Sequence, residues 1–551
     1  MRDDDTTRSR WSERTGSLTT RNSCRPAATT AIWVTRPSAG FVRRDEDRKK
    51  RASSLWSTPK LSPTASDRTQ RGTLTVRRLT EALAILVVLV FAACTPNHPA
   101  GPPPPDSARA AAFLDTLEQR TFHYFWDLTN PQNGLTPDRA PSPSFSSIAA
   151  VGFALTAYPI GVERSYITRA QAAERTLATL RFFWSAPQDS SISGATGYHG
   201  FFYHFLDMST GQRFQNVELS TIDTSLLLAG VLFCQSYYDG ADSTESLIRS
   251  LADSIYYRVN WNWAQARPPA VSMGWHPEGG FIPADWIGYN EGMILYILAL
   301  GSPTHPVDAS AWTAWAGGYQ WGTFRGQDYV QFGPLFGHEY SHVWIDFRGI
   351  QDVYMRSRGI NYFENSRRAT YAQRAYAAAN PGVWNGYSNQ IWGLTASDGP
   401  ANTTLVLNGR TRQFHTYWAR GVSSLETNDD GTLAPTAAGA AVPFAPEISI
   451  PALITMRETY GSHLFSTYGF RDAFNPTFTA QVPVERGEVD PVFGWFDVDY
   501  LGIDQGPILA MIENYRSELI WRTMRNNSYI VRGLKRAGFT GGWVGVTGPG
   551  H

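Results

Sequence analysis

The fold prediction rests on the stretch Thr221-Ile222-Asp223-Thr224-Ser225-Leu226-Leu227-Leu228-Ala229-Gly230. Polar and acidic residues come first, and a run of small and aliphatic residues with few charges follows. A helix that is apolar on nearly every side is buried on every side. The same order recurs at 146–152, 289–295 and 503–509. The sequence therefore predicts several buried helices, each beginning with polar or acidic residues.

Conventional amphipathic helices, such as 168–184, lie between these buried ones, with apolar residues at i, i+3 and i+4. Buried and amphipathic helices in alternation predict two concentric layers, an all-α (α/α)6 toroid with long irregular loops at the active-site rim. A hairpin is expected within 402–418, around Asn408-Gly409. The predicted helices are 107–126, 146–158, 168–184, 219–238, 243–259, 287–300, 364–379 and 503–525, with shorter ones near 309–317, 335–345, 384–393 and 448–460.

Acidic residues stand at the predicted N-termini of inner helices. Inner helices of such a ring run parallel, so these acids should gather at one rim, where the helix dipole favours negative charge. An acid at this place is also a common helix cap, and for Asp223 the two interpretations are equally good. Glu291 favours a site, because Trp275, Trp286 and Tyr289 lie close in sequence and would raise the pKa of a buried acid.

Composition excludes some functions. The chain has 551 residues, of which 42% are hydrophobic, with 19 Trp, 25 Tyr and 29 Phe. This wealth of aromatic rings suits a core and also a carbohydrate cleft, since sugar faces stack on such rings. The formal net charge is zero, yet residues 1–80 carry 18 Lys and Arg against 8 Asp and Glu. The remainder is mildly acidic, which argues against nucleic-acid binding.

An export signal is expected at 77–94, where Arg77-Arg78 precede a short apolar run that ends in Phe91-Ala92-Ala93-Cys94. These last residues resemble a bacterial lipoprotein box and predict lipidation of Cys94. The chain would then be a membrane-anchored lipoprotein of the periplasm or outer membrane. The expected organisation is a disordered segment 1–76, a signal 77–94, a Pro-rich tether 95–106, a catalytic domain 107–530 and a tail 531–551. By hypothesis, residues 1–76 precede the true translation start.

Several segments, taken in order over roughly residues 110–527, resemble the glycoamylase-like proteins that include the endo-β-1,2-glucanases of glycoside hydrolase family 144. They include Gly288-Tyr289-Asn290-Glu291, Trp392-Gly393-Leu394-Thr395-Ala396-Ser397-Asp398 and Ile503-Asp504-Gln505-Gly506-Pro507. The other matching segments are 121–127, 161–164, 217–224, 261–263, 302–306, 333–336 and 512–516.

The resemblance implies an (α/α)6 toroid that hydrolyses a β-linked glucan without metal or organic cofactor, by an inverting mechanism. It implies that Glu291 is the general acid. The base stays open, because Asp504, Asp398, Asp223 and Glu218 all match family positions, and Asp504 and Asp223 are the favoured candidates. Ser220 to Thr224 differ from the Asp-Leu-Val-Glu-Thr of the family, so the linkage stays open between β-1,2 and another β-glucoside. The expected substrate-binding residues are Glu218, Trp275, Tyr289, His338, His342, Trp392 and Asp398.

Two other functions compete with this interpretation. His338-Glu339-Tyr340-Ser341-His342 matches the zinc-protease signature H-E-x-x-H, with Glu364 as an eligible third ligand. A lipoprotein that binds oligosaccharide without cleaving it would also need many aromatic rings. The acids at the starts of apolar helices favour the hydrolase, because binding alone does not require them.

Overall fold

The computed structural model describes residues 107–545. The predicted segment 1–76, the signal 77–94 with Cys94, and the tether 95–106 lie outside the described residues. Within 107–545, every helix is too short or too polar to cross a membrane.

Among residues 107–545, six helices form the inner layer and are buried along almost their whole length. The first of them begin at serine caps, because the hydroxyls of Ser147 and Ser220 accept hydrogen bonds from the backbone N–H groups of Ala150 and Asp223. The inner helices are α2 (Ile148–Glu163), α4 (Thr221–Tyr237), α6 (Met293–Gly301), α8 (Phe336–Trp344), α11 (Thr436–Gly439) and α13 (Gly502–Ser517).

The outer helices have one buried face and one exposed face. They are α1 (Ser107–Leu128), α3 (Arg169–Ser185), α5 (Ser243–Tyr257), α10 (Tyr362–Ala379), α12 (Pro446–Tyr460) and α15 (Ser528–Arg536). Shorter helices connect or cover these elements: α7 (Ser310–Gly317), α9 (Val353–Arg358), α14 (Leu519–Met524) and α16 (Gly542–Gly545), with a 3-10 turn at Gly461–His463.

Close backbone contact between α2 and α4 holds one side of the ring together. A side-chain carbon on Gly230 would lie 2.1 Å from the Gly152 carbonyl oxygen, and one on Gly152 would lie 2.3 Å from that of Leu226. Only glycine permits this approach. Because α13 packs against both α2 and α8, the inner helices close into a ring. The predicted (α/α)6 toroid is confirmed.

Short strands link the helices, and most contain two to five residues. They are β1 (Arg139–Ala140), β2 (Ser146–Ser147), β3 (Gly197–Tyr198), β4 (Phe201–Tyr203), β5 (Phe205–Leu206), β6 (Leu219–Ser220), β7 (Gly274–His276), β8 (Gly280–Phe281), β9 (Trp321–Phe324), β10 (Gln327–Val330), β11 (Ala396–Ser397), β12 (Thr403–Leu407), β13 (Arg410–Phe414), β14 (Trp418–Ala419), β15 (Gly421–Val422), β16 (Thr427–Asn428), β17 (Phe465–Ser466), β18 (Gly469–Phe470), β19 (Phe474–Asn475), β20 (Glu488–Asp490), β21 (Gly494–Phe496) and β22 (Tyr500–Leu501). The paired strands β12 and β13 form the expected hairpin.

The structure differs from the sequence-based prediction at four places. The predicted helix 287–300 begins only at Met293, so Glu291 precedes it. Residues 384–393 form turns and no helix. The predicted helix 503–525 is two helices, because Glu518 takes a left-handed conformation with φ of 57°. The predicted boundary at 530 falls inside α15, which packs on α6, so the expected tail continues the toroid.

Candidate active site

The ends of several inner helices are joined at one rim by the short strands that precede them. β2 pairs with β5 just before α2, β6 pairs with β4 and β7 just before α4, and β22 pairs with β1 just before α13. Asp223 and Asp504 occupy the first turns of α4 and α13, and Glu291 stands immediately before α6. The structure therefore collects at inner-helix N-termini the three acids that the sequence singled out.

Glu291 is fixed through its own backbone and its neighbours. Its carbonyl oxygen accepts a hydrogen bond of 3.2 Å from the Ser341 hydroxyl of α8, and that hydroxyl accepts one of 3.0 Å from the Ile294 N–H. Asn290 accepts from the Gly292 N–H at 2.9 Å. Burial raises the pKa of Glu291 to about 7, and the negative charge of Asp223 adds to the rise. Such a carboxyl keeps its proton near neutral pH.

Asp223 lies in a small network with His204 and Glu218. The Ser220 hydroxyl donates to Asp223 Oδ2 at 2.5 Å. His204 Nδ1 lies 2.8 Å from Glu218 Oε1, and its Nε2 lies 3.5 Å from Asp223 Oδ2. One imidazole therefore bridges two carboxylates, both of which the sequence analysis selected. His204 itself was missed, because no local pattern places residue 204 beside the start of α4.

The imidazole of this network is charged at neutral pH. Burial alone would lower the pKa of His204, but the neighbouring carboxylates of Asp223 and Glu218 raise it to about 9. Burial alone would raise the pKa of Glu218, whereas the charge and hydrogen bond of His204 bring it below its ordinary value. The His204 imidazolium thus supplies the positive charge that lets Glu218 remain ionised in spite of its burial.

Asp504 belongs to a second group of acids on the same rim. Burial raises its pKa to about 7, a hydrogen bond with Asp472 opposes the rise, and the charges of Asp398, Asp138 and Glu339 add to it. Its helix is tied to α11 by the Thr436 hydroxyl, which donates to the Asp504 carbonyl oxygen at 3.1 Å. Asp504 therefore shares with Glu291 a raised pKa, and it can serve as a general base only in its ionised form.

Arg139 is the main counter-charge of this second group. Its guanidinium donates a short hydrogen bond to Asp398 and lies 3.4 Å from Asp138 and 3.7 Å from Asp499. Asp398, an expected sugar-binding residue, is therefore an ion-pair partner of arginine. Sequence analysis missed Arg139, Asp138, Asp497 and Asp499. Asp497 and Asp499 could have been found, because they lie just before α13 and repeat the pattern of acids ahead of an apolar helix.

The register of the strand pair β6–β7 corrects the prediction for Trp275. Leu219 is paired with Trp275, and successive side chains of a strand point to opposite faces. Trp275 accordingly packs with Tyr198 and Trp263, at ring distances of 5.2 and 5.8 Å. The same antiparallel register places the next residue, His276, opposite Glu218, and His276 contributes to lowering the pKa of that acid.

Four further residues that were expected to bind sugar lie in the interior. Tyr289 stacks among His338, Tyr319 and Tyr362, and Trp392 has no exposed surface. His338 and His342 are each 1% exposed, and burial lowers their pKa to about 4 and about 3. These four side chains fill the core, and the expected contacts with sugar do not fit their positions.

The H-E-x-x-H segment does form a helix, α8, but its imidazoles serve the packing. His338 Nε2 lies 3.2 Å from the Phe332 carbonyl oxygen, and His342 Nε2 lies 3.1 Å from the Ser366 hydroxyl. The Glu364 carboxylate instead pairs with Arg368 at 2.8 Å. Among residues 107–545 these three side chains do not bring their ligand atoms together. The geometry of a zinc peptidase is therefore not formed.

The fold and the site together define an (α/α)6 protein with paired carboxyl groups at the rim of its inner helices. Several known proteins are similar to this chain. A family model described as "Putative glucoamylase" matches residues 283–528. A glucoamylase-like protein from Bacteroides uniformis shares 31% identity, with 79% of this chain and 98% of that one covered and a TM-score of 0.67. The chain belongs to this glucoamylase-like family.

Two relatives carry more specific names. An endo-β-1,2-glucanase from Chitinophaga pinensis, solved with sophorotriose and glucose, is 28% identical, with 79% of this chain and 99% of that chain covered and a TM-score of 0.67. An exo-β-1,2-glucooligosaccharide sophorohydrolase from Parabacteroides distasonis is 29% identical over 457 residues, or 77% of this chain. The match spans 57% of the length of that curated relative.

Proposed function

We propose that the chain is a glycoside hydrolase that cleaves a β-linked glucan, with β-1,2-glucan as the substrate class. The observation that carries the proposal is the position of Glu291, which stands just before inner helix α6 with Asp223 as an acidic neighbour, and whose pKa is raised by burial to about 7. The similar proteins from Chitinophaga pinensis and Parabacteroides distasonis, whose names specify β-1,2-linked substrates, support the substrate class.

Hydrolysis of a glycosidic bond needs one carboxylic acid to protonate the leaving oxygen and one carboxylate to activate water. Glu291 takes the role of the acid, because its raised pKa keeps the proton available. The water is activated by one of two carboxylates, Asp223 or Asp504, which approach the rim from different inner helices. Inversion requires acid and base to stand roughly 6.5–9.5 Å apart, so that water fits between base and sugar.

Product analysis tests the activity. The full-length protein is incubated with β-1,2-, β-1,3- and β-1,4-glucans, and new reducing ends and product sizes are measured. We expect reducing ends from β-1,2-glucan above all. Binding of oligosaccharide without any release of reducing ends would instead identify a binding protein and refute the proposal.

The acid is tested with Glu291→Gln. We expect a loss of about 10²–10⁴-fold in kcat/KM on glucan, since the proton donor is gone. An aryl glycoside with a good leaving group needs no protonation, so the same variant should lose far less activity on it. The exposed Glu174 provides the matched control, and Glu174→Gln should behave as wild type. Near-normal glucan hydrolysis by Glu291→Gln would overturn the assignment.

The base is identified by chemical rescue of Asp223→Ala and Asp504→Ala. Azide attacks without losing a proton, so it restores turnover where the general base is missing and forms a glycosyl azide of inverted configuration. If azide rescues one of the two variants, the residue replaced in that variant is the general base. If azide rescues neither variant, both assignments are wrong.

We also propose that the protein is exported and anchored to a membrane by a lipid on Cys94. The support is the order of Arg77-Arg78, an apolar run and small residues directly before the cysteine. A glucan is too large to enter a cell readily, so an exported hydrolase would meet its substrate where it is delivered. Mass spectrometry of the mature N-terminus would show a diacylglyceryl group on Cys94, and an unmodified cysteine would refute the anchor.

A further inference from the structure

Three acidic side chains from distant parts of the sequence meet below the rim. Asp398 follows β11, Asp472 follows β18 and Asp497 follows β21. One carboxylate oxygen from each of the three lies within 4.8 Å of the other two. Among residues 107–545, this is the one group of at least three His, Cys, Asp or Glu side chains whose possible ligand atoms lie so close together. All three residues are at most 2% exposed.

Asp472 and Asp497 are each held through one carboxylate oxygen by a backbone N–H group. Asp472 Oδ2 accepts the Asp398 N–H at 2.7 Å, and Asp497 Oδ1 accepts the Asp499 N–H at 3.1 Å. The opposite oxygen of Asp497, Oδ2, is fully buried and has no hydrogen-bond partner, and Asp472 Oδ1 is fully buried and has no N–H donor. Asp499 repeats the arrangement, since its Oδ1 accepts from the Ser142 N–H and its buried Oδ2 has no hydrogen bond.

Buried carboxylate oxygens without partners are costly, because they lose the water that solvated them. The nearby arginines compensate only part of the cluster. Arg139 and Arg486 lie within 4.0 Å of Asp398 and Asp499. Within the described part of the chain, neither arginine forms an ion pair with Asp472 or Asp497. Within residues 107–545, the carboxylates of Asp472 and Asp497 therefore have no directly paired cation, although Arg471 donates to the Asp497 backbone carbonyl oxygen at 3.4 Å.

We propose that Asp398, Asp472 and Asp497 bind a calcium ion that fixes the loops around the second acid group. Calcium binds carboxylate oxygens at 2.3–2.6 Å, so three ligands around one ion lie within about 5 Å of one another, as these do. Magnesium keeps several waters and prefers less complete protein cages. The site goes beyond the proposed hydrolase activity and departs from the metal-free expectation drawn from the sequence.

The proposed ion would also order the second acid group. Asp472 hydrogen-bonds to Asp504 and to the Asp398 backbone, and Arg420 donates to the Ser397 and Asp398 carbonyl oxygens at 2.8 and 3.2 Å. An ion on Asp472 therefore holds both neighbours in place. Its role is structural, and its binding is measurable without any substrate.

Calcium binding is tested on the full-length protein after treatment with EDTA. At a calcium concentration about 100 times the Kd, the midpoint of thermal unfolding should rise by about 3 °C for a domain of this size. Elemental analysis after gel filtration in calcium should find about one ion per chain. Asp497→Asn and Asp472→Asn should lose the rise, whereas Glu488→Gln, an exposed change on the neighbouring β20, should keep it.

Several results would overturn the proposal. The first is a wild-type protein that neither binds calcium nor shows a thermal shift with it. The second is an equal shift with magnesium. The third is that the variants are more stable than wild type and that calcium changes the stability of neither. If the variants do not fold, terbium gives a test on wild type alone. Excitation of Trp495, a fully buried residue two positions from Asp497, should produce terbium emission that calcium abolishes. Terbium emission that calcium leaves unchanged would also contradict the site.

Discussion

Replacing His204 by glutamine tests the electrostatics of the first acid group. The pKa of His204 rises from 6.5 to about 9 because Asp223 and Glu218 outweigh the effect of burial. A rise of this size corresponds to roughly 3 kcal/mol in favour of the imidazolium. The stabilisation is complete below pH 6.5, the unfolded value, and disappears as the pH rises through about 9.

The expected result is a pH-dependent difference in the midpoint of thermal unfolding. Unfolding entropy scales with chain length, and for a domain of roughly 440 residues about 3 kcal/mol corresponds to about 3 °C. Calorimetry should therefore show His204→Gln melting about 3 °C below wild type at pH 6 and almost together with it near pH 9.5. The gap closes because wild type loses its charge, whereas glutamine has none to lose.

His123→Gln is the matched control. His123 also faces a carboxylate, Asp127, at 3.2 Å, but both side chains are more than 40% exposed. A pair of this kind contributes little in water, so the control should melt with wild type at every pH. If His204→Gln differs from wild type by the same amount at pH 6 and pH 9.5, the imidazole carries no stabilising charge and the account of this acid group is wrong.

Three further outcomes are expected. The value of kcat/KM should fall about tenfold per pH unit well above pH 7, because Glu291 must be protonated to act, and an undiminished rate at pH 9 would contradict this. Gly230→Ala should lower the unfolding midpoint by several degrees, since the new carbon meets the Gly152 carbonyl oxygen at 2.1 Å, whereas Gly317→Ala, with nothing within 4 Å, should not. Cys94→Ser should move the protein from the membrane to the soluble fraction, and an unchanged distribution would argue against the lipid.

The helices of the toroid were predictable because their signal is local. A run such as 221–230 shows within ten residues both where a helix begins and that it is buried on all sides. Most predicted helices accordingly lie within a few residues of the observed ones. The exceptions have equally local causes, such as the left-handed Glu518, which ends α13 before α14 begins.

The details of the candidate site depend on pairing between distant segments, and pairing leaves little trace in sequence. Trp275 and His276 are neighbours, yet only the register of β7 against β6 decides which of them faces Glu218. A shift of one residue would exchange them. From the sequence, the aromatic Trp275 was the obvious candidate for contact with a sugar. In the structure, His276 occupies the face of the strand that carries Glu218.

The histidines show the same limit in another form. His338 and His342 stand one turn apart on α8, as the zinc motif requires, and both are buried with neutral imidazoles. His204 belongs to no motif, and two carboxylates keep it charged. The charge of each histidine depends on how many carboxylates the fold places beside its imidazole. A short sequence pattern does not contain that information.

The two acid groups of the rim differ in how their buried negative charge is compensated, and this difference makes the second group informative. In the first group, one imidazolium lies between Glu218 and Asp223, so each buried carboxylate has a cationic partner. In the second group, arginine reaches Asp398 and Asp499 but leaves buried oxygens of Asp472 and Asp497 without a cationic partner. A folded protein seldom tolerates such oxygens. Because the same rim already shows how a compensated pair is built, the missing positive charge in the second group is best supplied by a bound cation.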